Sequence, residues 1–126
     1  MIQQTTGIVK SFKAGAAIAK NTIVMFGADD EHVIVATAAT DKLIGVALSA
    51  AAAAEEVVEV QLSGVTEVKL GGTVTRGDSV TSGAAGVGVA LAAAATIKCS
   101  IGEAMASGVT GDIIPVRIST WCATTA

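Results

Sequence analysis

The chain writes its own pattern twice. Displacing the sequence by 56 residues sets Gly71, Val74, Arg76 and Val80 on Gly15, Ile18, Lys20 and Val24, and Gly83 on Gly27. After one inserted residue, Ile101-Gly102-Glu103-Ala104-Met105 falls on Ile44-Gly45-Val46-Ala47-Leu48. The first offset then resumes, laying Ile113-Ile114-Pro115-Val116-Arg117-Ile118-Ser119 on Val57-Val58-Glu59-Val60-Gln61-Leu62-Ser63. A self-match of this length means one structural unit used twice, so whatever one unit does locally the other must also tolerate. The expected organisation is a single β domain over residues 1–126, with an arm at 1–6, a first unit at 7–64, a second at 65–120 and a tail at 121–126.

Each unit reads as short strands between glycine turns. Gly7–Lys13, Ile18–Phe26, His32–Ala36, Val57–Leu62, Val65–Leu70, Val87–Leu91, Thr96–Cys99 and Ile113–Ile118 are β-prone runs, and most of them alternate. Pro115 has no N–H for a ladder, which sends it to a sheet edge or to the non-bonded side of its strand. The run Ala50–Ala54 has the strongest helix propensity in the chain. Its counterpart in the second unit holds Gly108, Val109, Thr110 and Gly111, which would cost a helix on the order of 2 kcal/mol. Agreement between units outweighs local propensity, so a loop or a single short turn is expected there. The fold class is all-β: a compact barrel or sandwich of two similar halves, with an extended N-terminal arm.

Hydrophobic residues make up 52% of the chain, yet 25 residues are Ala and only Trp121 and two Phe are aromatic. Side chains this small bury little area each, at roughly 25 cal/mol per Å², so part of the apolar surface is expected to meet a partner. The formal charge is −3, and the basic residues are scattered singly. That excludes a phosphate-tracking stripe and leaves no nucleic-acid partner. No apolar run is long enough to span a bilayer, and Met1–Thr6 lacks the pattern of a secretion signal, so no membrane is implied. Cys99 and Cys122 stand at no metal-ligand spacing and are expected as free thiols.

The candidate chemistry is thin. His32 follows Asp29-Asp30-Glu31, which reads as a solvated turn, a metal site being the rival. Glu55, Glu56 and Glu59 read as a charged loop without an accompanying acid or base. Arg76-Gly77-Asp78 spells an adhesion tripeptide, but its counterpart Lys20-Asn21-Thr22 keeps only a basic residue and a turn former. Gly83–Gly88 matches no phosphate-binding loop, because no helix pattern follows. No catalytic, metal or cofactor residues emerge, and an enzyme is not expected.

In order and spacing, several stretches together resemble the tailed-phage capsid decoration, or cement, proteins of the small two-repeat β type. They are Ile44–Leu48, Val58–Val65, Gly71–Thr81, Ile101–Met105 and Gly111–Val116. The resemblance covers Gly7 to Ser119 and leaves Trp121 and Cys122 unplaced. It implies a virion protein, made in the bacterial host cytoplasm, that sits on the outer face of the assembled head. There it would bind the major capsid protein, stabilise the shell by clamping neighbouring subunits, and associate with itself as a homotrimer. Ile2, Gln3, Gln4, Thr5 and Thr6 have no equivalent in the second unit and carry no charge, which makes them the candidate contact to a neighbouring subunit. Two other classes compete: a phage tail or head-fibre β module, and a lipoyl- or biotinyl-like carrier domain in which Lys42 would be the modified lysine.

Overall fold

The computed structural model describes residues 7–92 and 97–124. The arm Met1–Thr6 lies outside the described residues. The first half contributes β1 (Val9–Ala14), β2 (Ile23–Phe26), β3 (His32–Val35), β4 (Leu43–Ala47) and β5 (Val57–Gln61). The second contributes β6 (Gly64–Lys69), β7 (Ser79–Ser82), β8 (Gly88–Ala90), β9 (Ile97–Ala104) and β10 (Ile113–Thr124). A single 3-10 turn, Ala84–Gly86, is the only helical segment among the described residues.

The first five strands close into a barrel in the order β1-β3-β2-β4-β5, and the last five form a sheet in the order β6-β10-β9-β7-β8. Carried across the repeat, these are one cyclic order, with β6 in the place of β1 and β10 in that of β5. The halves differ at the seam. β1 and β3 close the barrel by parallel pairing of Lys13 with His32 and Ala14 with Val33. At the matching place the second sheet has a lone parallel bridge, Leu70 to Gly88.

The turns repeat as closely as the strands. Ile18 bridges Ala51 in the first half, and Val74 bridges Gly108 in the second. The Asn21 N–H donates to the Ala47 carbonyl at 2.9 Å, and that of Gly77 to Ala104 at 2.7 Å. Left-handed backbone falls on Asn21 (φ 65°) and Gly77 (φ 89°), then on Glu55 (φ 75°) and Gly111 (φ 92°). The second half places glycine where this conformation is free of strain, and the first tolerates Asn and Glu. Residues 50–54 form no helix; they are a bridge residue and turns between Ser49 and Glu55.

Two apolar clusters hold the molecule. The barrel encloses Phe12, Ala14, Ile18, Val24, Val33, Ala47, Ala51, Val58 and Val60. The second sheet wraps Val68, Leu70, Val74, Val80, Ala104, Ile114 and Val116, and Ile23, Ala36, Leu43 and Val46 of the first half enter that cluster. On β2, Val24 therefore points into the barrel while its neighbour Ile23 points across to the other half. That alternation joins the halves through a shared core.

Equivalent core sites trade volume rather than keep it. Phe12 and Ala14 in the barrel become Val68 and Leu70, and Val58 becomes Ile114. Ala51 becomes Gly108, where a Cβ would lie 2.9 Å from both Leu70 Cδ1 and Ile114 Cγ2. The larger neighbours have taken the methyl's space, as close packing requires. Gly45 and Gly102 are fixed for a different reason. A Cβ there would come within 2.3 Å of the Gln61 carbonyl oxygen and 1.7 Å of that of Arg117, because the strands cross too closely for any side chain.

Pro115 sits near the start of a central strand, opposite Glu67 of β6. Its carbonyl accepts the Met105 N–H at 2.9 Å, just past the last β9–β10 pair, Val116 with Ala104. A strand residue's N–H and C=O point the same way, so the missing N–H of Pro115 faces the place where the ladder stops. In the first half Glu59 occupies this position, and its N–H needs an acceptor, supplied by Ser49 Oγ at 3.1 Å. The residue matching Ser49 is Ala106, which has no donor to satisfy.

Three expectations are corrected. Cys99 and Cys122 are not free thiols but a disulfide, with Cα atoms 4.0 Å apart. They are direct cross-strand partners of β9 and β10. A spacing count carries no information on strand register, and the alternating pattern stops at Ser119, short of Cys122. The segment after Ser119 is likewise part of β10, which resumes its pairing with β9 after a register shift between Ile118 and Trp121. Of the separate short strand expected at Thr96–Cys99, the described part, residues 97–99, is the start of one continuous strand, Ile97–Ala104.

Candidate functional site

Three titratable groups converge in one place. Asp29 lies in the β2–β3 turn, His32 opens β3, and Glu55 ends the β4–β5 loop at its left-handed residue. Asp29 Oδ1 is 2.7 Å from His32 Nδ1 and accepts the backbone N–H groups of Glu31 and His32. Glu55 Oε2 is 2.6 Å from His32 Nε2. Neutral imidazole has one N–H, so hydrogen bonds from both ring nitrogens to carboxylates require the imidazolium. The hydrogen bonds to Asp29 and then Glu55 raise the His32 pKa above its usual value, and the bond from His32 lowers that of Asp29. Each carboxylate approaches a ring nitrogen rather than a common point, which makes this an ion-pair bridge between two loops and not a ligand set. The sequence showed Asp29 beside His32; Glu55, 23 residues away, carried no signal.

The remaining candidates serve local structure. Glu56 Oε1 accepts the Ala52 N–H at 3.1 Å, and the equivalent Asp112 accepts that of Val109 at 2.9 Å. The Asp78 carboxylate of Arg76-Gly77-Asp78 accepts the Thr75 N–H at 3.0 Å, and the Arg76 N–H donates to Ser107 Oγ at 3.0 Å. Lys42 is exposed one residue before β4, behind a turn closed by Asp41 Oδ2 on the N–H groups of Thr37 and Ala38. A carrier domain needs its lysine at a hairpin tip, and this is not one. No group of three or more His, Cys, Asp or Glu side chains is arranged as a metal site among the described residues.

What the surface offers is contact area. The outward row of β10 carries Ile113, Pro115 and Arg117, with Met105 beside Pro115 and Glu103 paired to Arg117. Val57, Val109 and Ile97 are more than half exposed. The β9–β10 ribbon continues beyond the last pair of β10 with β6, clipped by the disulfide, with Trp121 39% exposed on it. Ile2, Gln3, Gln4, Thr5 and Thr6, the expected neighbour contact, lie outside the described residues. Gly7, where the description begins, packs against Ser63 and Gly64.

A family model described as phage cement protein matches residues 2–62. The resemblance to phage cement proteins is shown. The matched stretch is the arm together with the strands of the closed barrel, and the second unit repeats that barrel's strand order. No curated protein sequence matches the chain. Among solved structures, the head fibre gp8.5 N base of bacteriophage phi29 aligns with a TM-score of 0.64 at 18% identity, over 89% of this chain and 93% of that one. At that identity the likeness establishes a shared fold, the two-unit β architecture just described.

Proposed function

We propose that this phage structural protein binds the outer surface of an assembled capsid and stabilises it by clamping neighbouring major capsid subunits. The match to the phage cement proteins carries the reading. The surface supports it: exposed apolar residues on a body built from a closed barrel and a matching five-stranded sheet. A protein that binds only the assembled, expanded lattice stabilises that state by mass action, against the pressure of packaged DNA. Weak contacts repeated over a lattice gain from effective concentration, and a trimer spanning a three-fold position multiplies them. An acidic chain, with net charge −3, suits the outside of the shell better than its DNA-facing side. In this reading Ile2–Thr6 order on an adjacent capsid or decoration subunit, with Ile2 as the apolar anchor. Ordering costs about 1–2 kcal/mol per residue, which the lattice contact offsets.

Co-sedimentation with purified heads tests it. The expected result is saturable binding to expanded heads, none to unexpanded ones, and a raised temperature of DNA release. Binding at a single head site without stabilisation would favour a head-fibre base module instead.

A further inference from the structure

We propose that the Cys99–Cys122 disulfide is a redox latch: reduction by a dithiol releases residues 119–124 of β10 from β9 while both apolar clusters stay packed. The latch belongs to the free chain and does not depend on the capsid reading.

The two sulfurs sit in different surroundings. Cys99 is 3% exposed within the second cluster. Its N–H donates to the Ala39 carbonyl at 2.7 Å, and its own carbonyl accepts the Thr81 hydroxyl at 2.6 Å. Ser100 Oγ donates to the Val80 carbonyl at 3.1 Å. This start of β9 is therefore tied to the body without help from β10. Cys122 is exposed, and none of the side chains at 119–123 is buried.

The backbone of β10 is held just as lightly there. β6 follows it only as far as Gly64 opposite Ile118, and a register shift then separates Ile118 from Trp121. Beyond the shift four pairs remain, Trp121 with Ser100 through Thr124 with Ile97. No other strand among the described residues pairs with either member of this ribbon. A two-stranded ribbon whose one strand buries no side chain is marginal in water, so the S–S bond decides whether it persists. The fold itself does not need the ribbon. The first unit closes its barrel and turns into β6 after Ser63, with no equivalent of residues 120–124.

Access selects the sulfur that reacts. A thiolate of the dithiol attacks Cys122 Sγ, the S–S bond breaks, and Cys99 leaves as a thiolate that takes up a proton. The second thiolate of the reductant then attacks the mixed disulfide, closes its own ring disulfide and frees Cys122, which is protonated in turn. Two electrons and two protons pass from the dithiol to the cysteine pair. Cys99 stays in the cluster as a small apolar side chain, and Cys122 moves out with the strand that carries Trp121. Oxidised glutathione reverses the exchange.

Amide-resolved hydrogen exchange tests this on the full chain without capsids, oxidised and in excess dithiothreitol. Exchange at residues 119–124 should speed up by at least about tenfold on reduction, as local opening requires, with the amides of β2, β5 and β6 unchanged. Cys122→Ser, at an exposed position, should match the reduced parent with no reductant present, and oxidised glutathione should restore protection to the parent alone. Iodoacetamide added to the reduced protein should label Cys122 about tenfold or more faster than Cys99, as their access dictates. Equal protection of residues 119–124 in both redox states would overturn the proposal, since the ladder alone would then hold the ribbon. So would exchange that rises throughout both units, which makes the disulfide a staple of the whole fold. Equal labelling of the two cysteines would remove Cys99 from its cluster and contradict the latch as well.

Discussion

Leu70 occupies the space that a side chain on Gly108 would need: the missing Cβ would stand 2.9 Å from Leu70 Cδ1, and equally close to Ile114 Cγ2. In the barrel the equivalent trio is Ala14, Ala51 and Val58. Gly108→Ala should therefore destabilise the chain by about 1–3 kcal/mol through overpacking. Adding Ile114→Val, which restores the barrel's own combination at that site, should recover part of the loss. A double-mutant cycle from urea unfolding measures the coupling. Strictly additive changes would show that the two halves do not trade volume as described.

Gly45→Ala and Gly102→Ala meet backbone rather than side chain, at the Gln61 and Arg117 carbonyl oxygens. Backbone cannot move aside, so each substitution should cost about 4 kcal/mol or more, the range reserved for large disruptions. Soluble expression and thermal unfolding are sufficient readouts. A mild effect at either site would mean the strands can separate there.

The His32 bridge makes stability depend on pH in a fixed direction. Its folded pKa lies above the usual 6.5, so the contribution is fully present below that value and is lost as pH rises through the folded one. Asp29, whose pKa is lowered from 3.8, loses its contribution as pH falls through its folded value. The melting-temperature advantage of the parent over His32→Gln should be largest in mildly acidic buffer and shrink toward alkaline pH. An advantage that grows with pH would contradict the doubly bonded imidazolium.

Cys99 and Cys122 close a loop with a sequence separation of 23. Reduction, or the Cys99→Ser/Cys122→Ser pair, should lower stability by about 3 kcal/mol on the loop-closure estimate. Denaturant unfolding with and without reductant, followed by Trp121 emission, reads it directly. Identical midpoints would mean the ribbon is held by its ladder alone.

The strands and the two-half plan were legible because the repeat supplied a second reading of every ambiguous stretch. Five alanines at Ala50–Ala54 favour a helix on their own; only the glycines at 108 and 111 say otherwise. What stayed illegible depends on register. The Cys99–Cys122 pairing and the Glu55–His32 contact join residues far apart in sequence, and no local pattern encodes which residue faces which. The course of β10 past Ser119 was hidden for a related reason: its tail has no counterpart in the first unit, where the chain turns into β6 after Ser63. The surface was read only coarsely, since contact area leaves little signature in residue types.

The most direct measurement is a cryo-EM reconstruction of expanded heads of the cognate phage, with and without the protein. The account predicts added density on the outer face, shaped as three copies of the two-unit body, each bridging neighbouring major capsid subunits. Isolated single copies, density inside the shell, or heads left bare at saturating protein would contradict it.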